Sequence, residues 1–279
     1  MSRQLASEPH HLRQLPHARE LLPALAADCR AGRLALFLDF DGTLAPIAAH
    51  PRLARLDAGL RRVLAELAAR VPVAVVSGRA ASDVRRLVGI DEIFVAGSHG
   101  FEIAGPGGLV HDEGAPFAAE LDAAQAELER AVRGLPGVWV ERKPYAIAVH
   151  FRDAPEAVAA RIEEPVREVA RARPALLLRG GKKVFELRPA KDWDKGRAVL
   201  WLLDRVAPRD ARAVFLGDDV TDEDAFLRLR ECGIGIVVGE EERPTFAGYR
   251  LRDPREVRAF LTALLEGCRE RRPEAASGP

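Results

Sequence analysis

The sequence predicts an α/β fold, a doubly wound parallel sheet with a smaller α+β segment inserted into it. Short apolar runs that end in small or acidic residues are typical of strands buried on both faces. Helical patterns lie between them, and strand-helix-strand alternation indicates a parallel sheet with helices on both sides. The runs are "LALFLDF", "VPVAVVSGR", "EIFVAGSHG", "AVFLGDD" and "GIGIVVG".

The first helix of this alternation lies in "LDAGLRRVLAELAAR". Leu60, Val63, Leu64 and Leu67 fall on one helical stripe, and Asp57 precedes them as a candidate N-cap. Residues 18–30 are expected to form a shorter leading helix. The polar or small-residue-rich ends, residues 1 to about 15 and 271–279, are expected to be loose.

The middle of the chain changes pattern. The pattern there predicts a separate α+β unit, in the order helix, hairpin, helix, hairpin. The helices are expected over 114–133 and 155–171, and the hairpins in "VWVERKPYAIAVHFR" and "ALLLRGGKKVFELRP". The expected divisions are an N-terminal extension (1–30), a core domain in two parts (31–112 and 190–268), an inserted cap (113–189) and a C-terminal tail (269–279). Since ligands of open parallel sheets bind beyond the carboxyl ends of the strands, the cap is expected to cover that crevice.

Charge and cysteine content exclude several classes of protein. Of the 279 residues, 42 are Lys or Arg and 42 are Asp or Glu, with no long basic block, so nucleic acid and anionic membranes are not expected partners. The three cysteines have no metal-ligand spacing, which favours a reduced cytoplasmic compartment over structural zinc. No segment has the pattern of a signal peptide or a membrane span.

Two carboxylates follow the first predicted strand, in "FLDFDGTLAPI". Along an extended segment Asp39 and Asp41 point the same way, while Phe40 turns into the core. The pair has two interpretations from its own residues: a turn with a capping Asp, or a divalent-metal site in which one aspartate attacks phosphorus.

A second acidic group, in "GDDVTDEDAF", favours the metal site. A helix N-terminus accounts for the later acidic residues, but it does not account for Asp218 and Asp219 directly after a buried strand. If that strand neighbours the first, Asp218 joins Asp39 and the carbonyl of Asp41 around one ion. Oxygen ligands without Cys or His indicate Mg²⁺.

Phosphate-binding groups are expected on neighbouring loops. Ser77 can donate from its hydroxyl and backbone N–H, Gly78 permits close approach, and Thr43 and Gly42 offer the same chemistry. Each of these also fits an ordinary turn. Arg79 could clamp phosphate or pair with an acidic neighbour.

Taken in order, "DFDGTLAPI", "VVSGR", "GSHG", "WDKG" and "GDDVTDEDAF" resemble the haloacid dehalogenase superfamily of phosphatases, and within it the trehalose-6-phosphate phosphatase family. The resemblance implies that Asp39 is the nucleophile and Asp41 the general acid and base. It also implies that Lys195 binds phosphate as a catalytic cation and that Asp219 and Asp222 support the metal ligands. "VERK", "VHFR" and "GGKKVFELRP" resemble the family's cap segments, although Phe151 stands where Tyr is expected.

The cap is expected to determine specificity, because sugar hydroxyls need charged and polar partners. Charged residues that alternate along a hairpin equally fit a solvent-exposed face. The expected substrate-binding residues are Glu141, Lys143, Lys182, Glu186, His99 and Arg152.

The leading hypothesis is a cytoplasmic Mg²⁺-dependent phosphatase for trehalose 6-phosphate, which acts through an aspartyl-phosphate in trehalose biosynthesis, with a trehalose-6-phosphate synthase as a functional partner. The alternatives are a phosphatase for sucrose phosphate or glucosylglycerate phosphate, a phosphohexomutase, and a non-catalytic regulatory module. The last would be expected to lack a nucleophile or metal aspartate.

Overall fold

The computed structural model describes residues 9–48, 53–181 and 183–269. Within these, the chain forms two compact units. One contains the residues up to Val110 and those from Asp194 onward, and the other is His111–Trp193.

The elements follow the predicted alternation. The strands are β1 (His10–His11), β2 (Leu34–Leu38), β3 (Val73–Val76), β4 (Phe94–Gly97), β5 (Glu102–Ala104), β6 (Val110–Asp112), β7 (Trp139–Lys143), β8 (Ala146–His150), β9 (Leu176–Gly181), β10 (Val184–Pro189), β11 (Arg212–Gly217), β12 (Gly233–Val238), β13 (Pro244–Thr245) and β14 (Tyr249–Leu251). The helices are α1 (Leu22–Arg30), α2 (Ala58–Ala68), α3 (Ala81–Val88), α4 (Ala118–Ala131), α5 (Glu156–Arg171), α6 (Lys195–Val206), α7 (Glu223–Leu229) and α8 (Pro254–Arg269).

The first unit is built on the predicted parallel sheet. The strand order is β14-β12-β11-β2-β3-β4-β5-β6, with β14 through β4 parallel and β5 antiparallel to β4. Every residue of β2 and β3 is buried, as expected for strands covered on both faces. The α/β fold class is therefore confirmed, and β11 pairs directly with β2, the neighbour relation on which the metal hypothesis depends.

The stripe predicted for α2 packs as expected. Leu60, Leu64 and Leu67 are buried, and Val63 is partly buried against the same core. The Asp57 side chain accepts a hydrogen bond from the Leu60 N–H at 2.9 Å, so the predicted N-cap is confirmed. A cap of this kind stabilises a helix by about 1 kcal/mol.

The expectation of a loose N-terminus is wrong for residues 10–15. Leu12 and Leu15 are buried, and β1 pairs antiparallel with β13. The Arg250 side chain donates to the Leu15 carbonyl at 3.1 Å. These contacts come from the far end of the chain, so the local polar composition does not reveal them. Residues 1–8 and 271–279 lie outside the described residues.

Two of the three cysteines meet where α1 packs against α8. Cys29 and Cys268 form a disulfide with a Cα–Cα distance of 5.7 Å across 239 residues of sequence, and Cys232 is exposed. Sequence spacing alone did not indicate this pairing, because the two helices are brought together only by the fold.

We expect reduction of this disulfide to lower the free energy of unfolding by about 2–4 kcal/mol, because the bond restricts the unfolded chain. The measurement is urea unfolding with and without a phosphine reductant. Cys29→Ala should reproduce the loss and Cys232→Ser should not. Thiol titration of the denatured, unreduced protein should find one thiol; three would contradict the pairing.

The second unit has its own antiparallel sheet in the order β7-β8-β10-β9, with α4 and α5 against one face. The predicted order of helix, hairpin, helix and hairpin is observed. Its core is apolar and separate from that of the first unit. It consists mainly of Leu121, Leu128, Ile147, Val149, Ile162, Val166 and Leu187.

Among the described residues, no helix is both long and apolar enough to span a membrane.

Candidate active site

Four neighbouring strands of the first unit end in polar residues. Asp39 follows β2, Asp218 follows β11, Ser77 follows β3 and Ser98 follows β4. Because β11, β2, β3 and β4 are adjacent and parallel, these carboxyl ends lie along one edge of the sheet. This edge is where ligands bind in open α/β sheets.

A buried lysine joins two of the carboxylates. Lys195, the first residue of α6, donates from Nζ to Asp39 Oδ1 and to Asp222 Oδ1, both at 2.7 Å. All three side chains are almost fully buried. The second oxygen of Asp222 accepts from the Asp219 backbone N–H at 2.9 Å, and the Asp219 side chain bonds the Asp222 N–H in return. Asp222 therefore has two roles: one oxygen holds the Lys195 ammonium, and the other completes a capping box with Asp219.

The charges of this cluster alter its ionisation. Burial lowers the pKa of Lys195, but the charges of Asp39 and Asp222 outweigh it, so the net pKa is raised and the lysine stays protonated. Burial raises the pKa of Asp39 well above its usual range, against the opposing charge of Lys195. Burial, together with the charge of Asp222, raises the pKa of Asp218 to about 6. Carboxylates that are costly to ionise in this setting favour a bound cation.

The donor set fits a divalent metal ion. Asp39, Asp218 and Asp222 each present an oxygen within 4.8 Å of the others. If all three carboxylates are ionised, the one ammonium of Lys195 leaves two of their negative charges uncompensated. A hard divalent cation with oxygen ligands would balance them. Asp222 was expected only to support the metal ligands, but its oxygen also lies within 4.8 Å of those of Asp39 and Asp218.

The loop after Asp39 approaches Asp218 closely. Thr43, fully buried, donates from Oγ1 to Asp218 Oδ1 at 3.2 Å. Gly42 has φ +87°, and a Cβ there would overlap the Asp218 carboxylate. Only glycine satisfies both the backbone conformation and the close approach. Phe40, between the two aspartates, is buried as predicted.

Asp41 is held by an arginine. Arg79 Nε and Nη2 donate to Asp41 Oδ2 and Oδ1 at 2.5 and 2.6 Å, a bidentate pair. This bond raises the pKa of Arg79. Of the two roles considered for Arg79, the structure shows the acidic pairing.

The loops after β3 and β4 brace each other. The His99 N–H donates to the Ser77 carbonyl at 2.9 Å, and the Ser98 N–H donates to the Arg79 carbonyl at 2.6 Å. Ser98 and His99 both have positive φ, which is strained backbone for residues with side chains. A Cβ on Gly78 would lie 2.8 Å from the His99 ring. His99 therefore packs over Gly78, beside the predicted phosphate-binding serine.

Three of the predicted sugar-binding residues of the second unit, Glu141, Lys143 and Glu186, make close polar contacts there. Glu141 Oε2 lies 2.8 Å from His150 Nε2, and Lys143 Nζ lies 2.8 Å from Glu186 Oε1. Cross-strand register places Glu141 and Glu186 in one row, on either side of Ala148. Arg152 is exposed beyond the end of β8, and Lys182 lies outside the described residues.

Two side chains that the sequence did not single out also bear on these groups. Arg243 donates to the Asp218 carbonyl at 2.8 Å and pairs with Glu223, and so braces the loop after β11. Trp139 stacks on His150 with ring centroids 3.9 Å apart. Neither residue lies in a recognisable sequence motif. A tryptophan at the start of a polar strand could nevertheless have marked Trp139 as a candidate binding residue.

Comparison with known proteins agrees with this architecture. A family model described as trehalose-phosphatase matches residues 37–255. The chain is 37% identical over 268 residues to a probable trehalose-phosphate phosphatase 4 of Oryza sativa subsp. japonica, covering 93% of this chain and 73% of that one. It is 42% identical over 266 residues to a trehalose-phosphate phosphatase of Mycobacterium tuberculosis, covering 92% and 67%.

Among solved structures, a trehalose-6-phosphate phosphatase related protein superposes with a TM-score of 0.70 at 29% identity, covering 83% of this chain and 97% of that one. The sequence motifs, the fold and the matched family model, which spans well over half of the residues, lead to one assignment. The chain belongs to the trehalose-phosphatase family, within the haloacid dehalogenase superfamily.

Proposed function

We propose that this protein hydrolyses trehalose 6-phosphate to trehalose and inorganic phosphate, with Mg²⁺ and through an aspartyl-phosphate on Asp39. The observation that carries the proposal is the buried contact between Asp39 and Lys195, with Asp218 and Asp222 beside it. It combines a nucleophile, a fixed cation and a carboxylate set suited to a metal. Family membership and the names of the relatives support the choice of substrate.

In the first step an Asp39 carboxylate oxygen attacks phosphorus, and the bond from phosphorus to the sugar oxygen breaks. Two like charges about 4 Å apart repel by about 4 kcal/mol at an effective dielectric near 20, so the attack needs compensating positive charge. Lys195, fixed by two bonds, supplies one such charge without reorganisation. We propose that the phosphoryl oxygens accept hydrogen bonds from Ser77 and Thr43. Gly78 and Gly42 allow the backbone to approach these oxygens closely.

Asp41 is the proposed proton carrier. It protonates the departing sugar oxygen, then takes a proton from the water that attacks the aspartyl-phosphate, which releases phosphate and restores Asp39. In the structure both Asp41 oxygens accept from Arg79, and we propose that one of these bonds is exchanged for the sugar oxygen. Arg79 would then orient the carboxyl group through the bond that remains.

Asp39, Asp218 and the backbone carbonyl of Asp41 would hold the metal, and Asp219 and Asp222 would keep these ligands in place. When bound, Mg²⁺ supplies charge neutralisation of the phosphoryl group.

For the sugar, we propose that the second unit acts as the specificity cap. The proposed contacts in this unit are Glu141, Lys143, Lys182, Glu186 and Arg152. His99, in the first unit, is a further proposed contact. The hydrogen bond between Glu141 and His150 and the ion pair between Lys143 and Glu186 support this, because they leave carboxylate and ammonium groups partly exposed on one face of the sheet. Such groups bond vicinal hydroxyls and remain paired when the sugar is absent.

The proposed setting is trehalose biosynthesis in the cytoplasm, with a trehalose-6-phosphate synthase as the functional partner that supplies the substrate. The structure, however, pairs Cys29 with Cys268, against the expectation of reduced cysteines, and a disulfide of this kind is rare in that compartment.

The test is phosphate release from trehalose 6-phosphate, sucrose 6-phosphate, glucosylglycerate phosphate and glucose 6-phosphate, each with Mg²⁺ and with a chelator. We expect kcat/KM for trehalose 6-phosphate to exceed that of the others by at least about 100-fold, and to vanish with the chelator. Equal rates on all four would refute the disaccharide assignment. Conversion of a hexose phosphate to its isomer without phosphate release would indicate the mutase, and binding without turnover the regulatory module.

A further inference from the structure

An exposed indole stands at the edge of the second unit's sheet. Trp139 is the first residue of β7, the edge strand, and 52% of its surface is exposed. Its ring lies on the imidazole of His150 at 3.9 Å with an interplanar angle of 14°, so one face is covered by the protein. The exposure leaves the remaining indole surface available to a ligand.

Trp139 belongs to the same face of the sheet as the Glu141–His150 and Lys143–Glu186 contacts described above. Successive strand residues alternate between faces, which places Trp139, Glu141 and Lys143 together. The imidazole beneath the indole is itself held by Glu141, at 2.8 Å. Because His150 is itself held by Glu141, its stacking fixes the orientation of the Trp139 indole before any ligand binds.

A pyranose with equatorial hydroxyls has a matching surface. Its two ring faces carry C–H groups and are apolar, while its rim carries hydroxyls. A flat aromatic ring covers the face, and charged groups at the side bond the rim. The indole with Glu141 and Lys143 beside it presents both kinds of contact on one short strand.

We propose that Trp139 is a specificity-determining residue, whose open indole face packs against a glucose ring of the disaccharide. His150 and Glu141 hold the indole in the orientation that this contact needs. The inference rests on the proposed function, since it names a contact of the same substrate.

The experiment compares Trp139→Ala and Trp139→Phe with the wild type on trehalose 6-phosphate and on p-nitrophenyl phosphate, which has no sugar. We expect Trp139→Ala to raise KM for trehalose 6-phosphate about 5- to 20-fold, with kcat/KM for p-nitrophenyl phosphate unchanged. Trp139→Phe should restore most of the affinity. Leu177→Ala is the matched control, because Leu177 is a 40% exposed apolar side chain on the same face of β9 and should have no effect.

A second readout is direct binding. Trehalose added to the wild-type enzyme should change the tryptophan fluorescence, and the change should be lost in Trp139→Phe. Equal losses on both substrates for Trp139→Ala would make the residue structural and overturn the proposal. So would an unchanged KM, or a shift in sedimentation that assigns the indole to contacts between copies of the chain. If the wild type itself fails to prefer trehalose 6-phosphate, the proposed function fails instead.

Discussion

Asp39→Asn should reduce turnover of trehalose 6-phosphate by at least about 10⁴-fold, because removal of a covalent nucleophile costs losses of that order. The neutral amide has nearly the shape of the carboxylate but cannot attack phosphorus. Burial raises the pKa of Asp39, so ionisation is costly in the folded protein, and Lys195 keeps Asp222 as a partner in the variant. We therefore expect the amide to leave the free energy of unfolding nearly unchanged. Loss of activity without loss of stability distinguishes a chemical role from a structural one.

The intermediate provides the sharper measurement. Wild-type enzyme that is acid-quenched during turnover should carry covalent phosphate, located by mass spectrometry on the peptide that contains Asp39. Asp39→Asn should carry none. Asp41→Asn should accumulate it on p-nitrophenyl phosphate, a substrate whose leaving group needs no acid but whose phosphoenzyme still needs a base.

Asp91→Asn is the matched control, since it makes the same change at an exposed carboxylate outside the site and should behave like wild type. Retained turnover in Asp39→Asn, or phosphate found on another residue, would contradict the nucleophile assignment.

The sequence predicted the sheet well for a physical reason. Strands buried on both faces must be almost wholly apolar, and β2, β3 and β11 are therefore visible as apolar runs. The carboxyl ends of adjacent parallel strands meet at one edge, so the approach of Asp39 and Asp218 follows from the pairing of β2 with β11.

Contacts that depend on tertiary packing could not be predicted from the sequence in the same way. The Cys29–Cys268 bond requires α1 and α8 to be neighbours, and the burial of Leu12 requires the C-terminal residues of the first unit. Arg79 could have reached phosphate or a carboxylate, and the local pattern "SGR" does not decide between them. In the structure Arg79 makes the bidentate pair with Asp41.

The role of Asp222 could be predicted from the sequence only in part. Its spacing of three residues from Asp219 is that of a capping box, which the structure contains. What the spacing does not give is the direction of Oδ1, the oxygen of Asp222 that is outside the capping box and accepts from Lys195. That bond depends on where α6 begins relative to α7, and these helices are separated by β11 in the sequence.

Lys195→Met should be damaging to both folding and catalysis, for one electrostatic reason. The variant leaves Asp39 and Asp222 buried without their ammonium partner, and breaking a buried ion pair of this kind costs about 3–5 kcal/mol of folding free energy. Methionine is a close match in length, so loss of packing contributes little. We also expect kcat/KM for trehalose 6-phosphate to fall by at least about 10²-fold, since a fixed positive charge near the phosphoryl group is lost.

Urea unfolding with a chelator present measures the first effect without compensation from a divalent cation, and phosphate release with Mg²⁺ measures the second. Lys191→Met is the matched control, since Lys191 is partly exposed and pairs with Glu113, and exposed pairs contribute only about 0–1 kcal/mol. The double variant Lys195→Met, Asp222→Asn removes one of the two stranded charges and should regain part of the stability. It should regain no activity, because the positive charge of Lys195 near the phosphoryl group is still missing. Recovery of turnover in the double variant would mean that Lys195 serves to neutralise Asp222 rather than to stabilise the reacting phosphate.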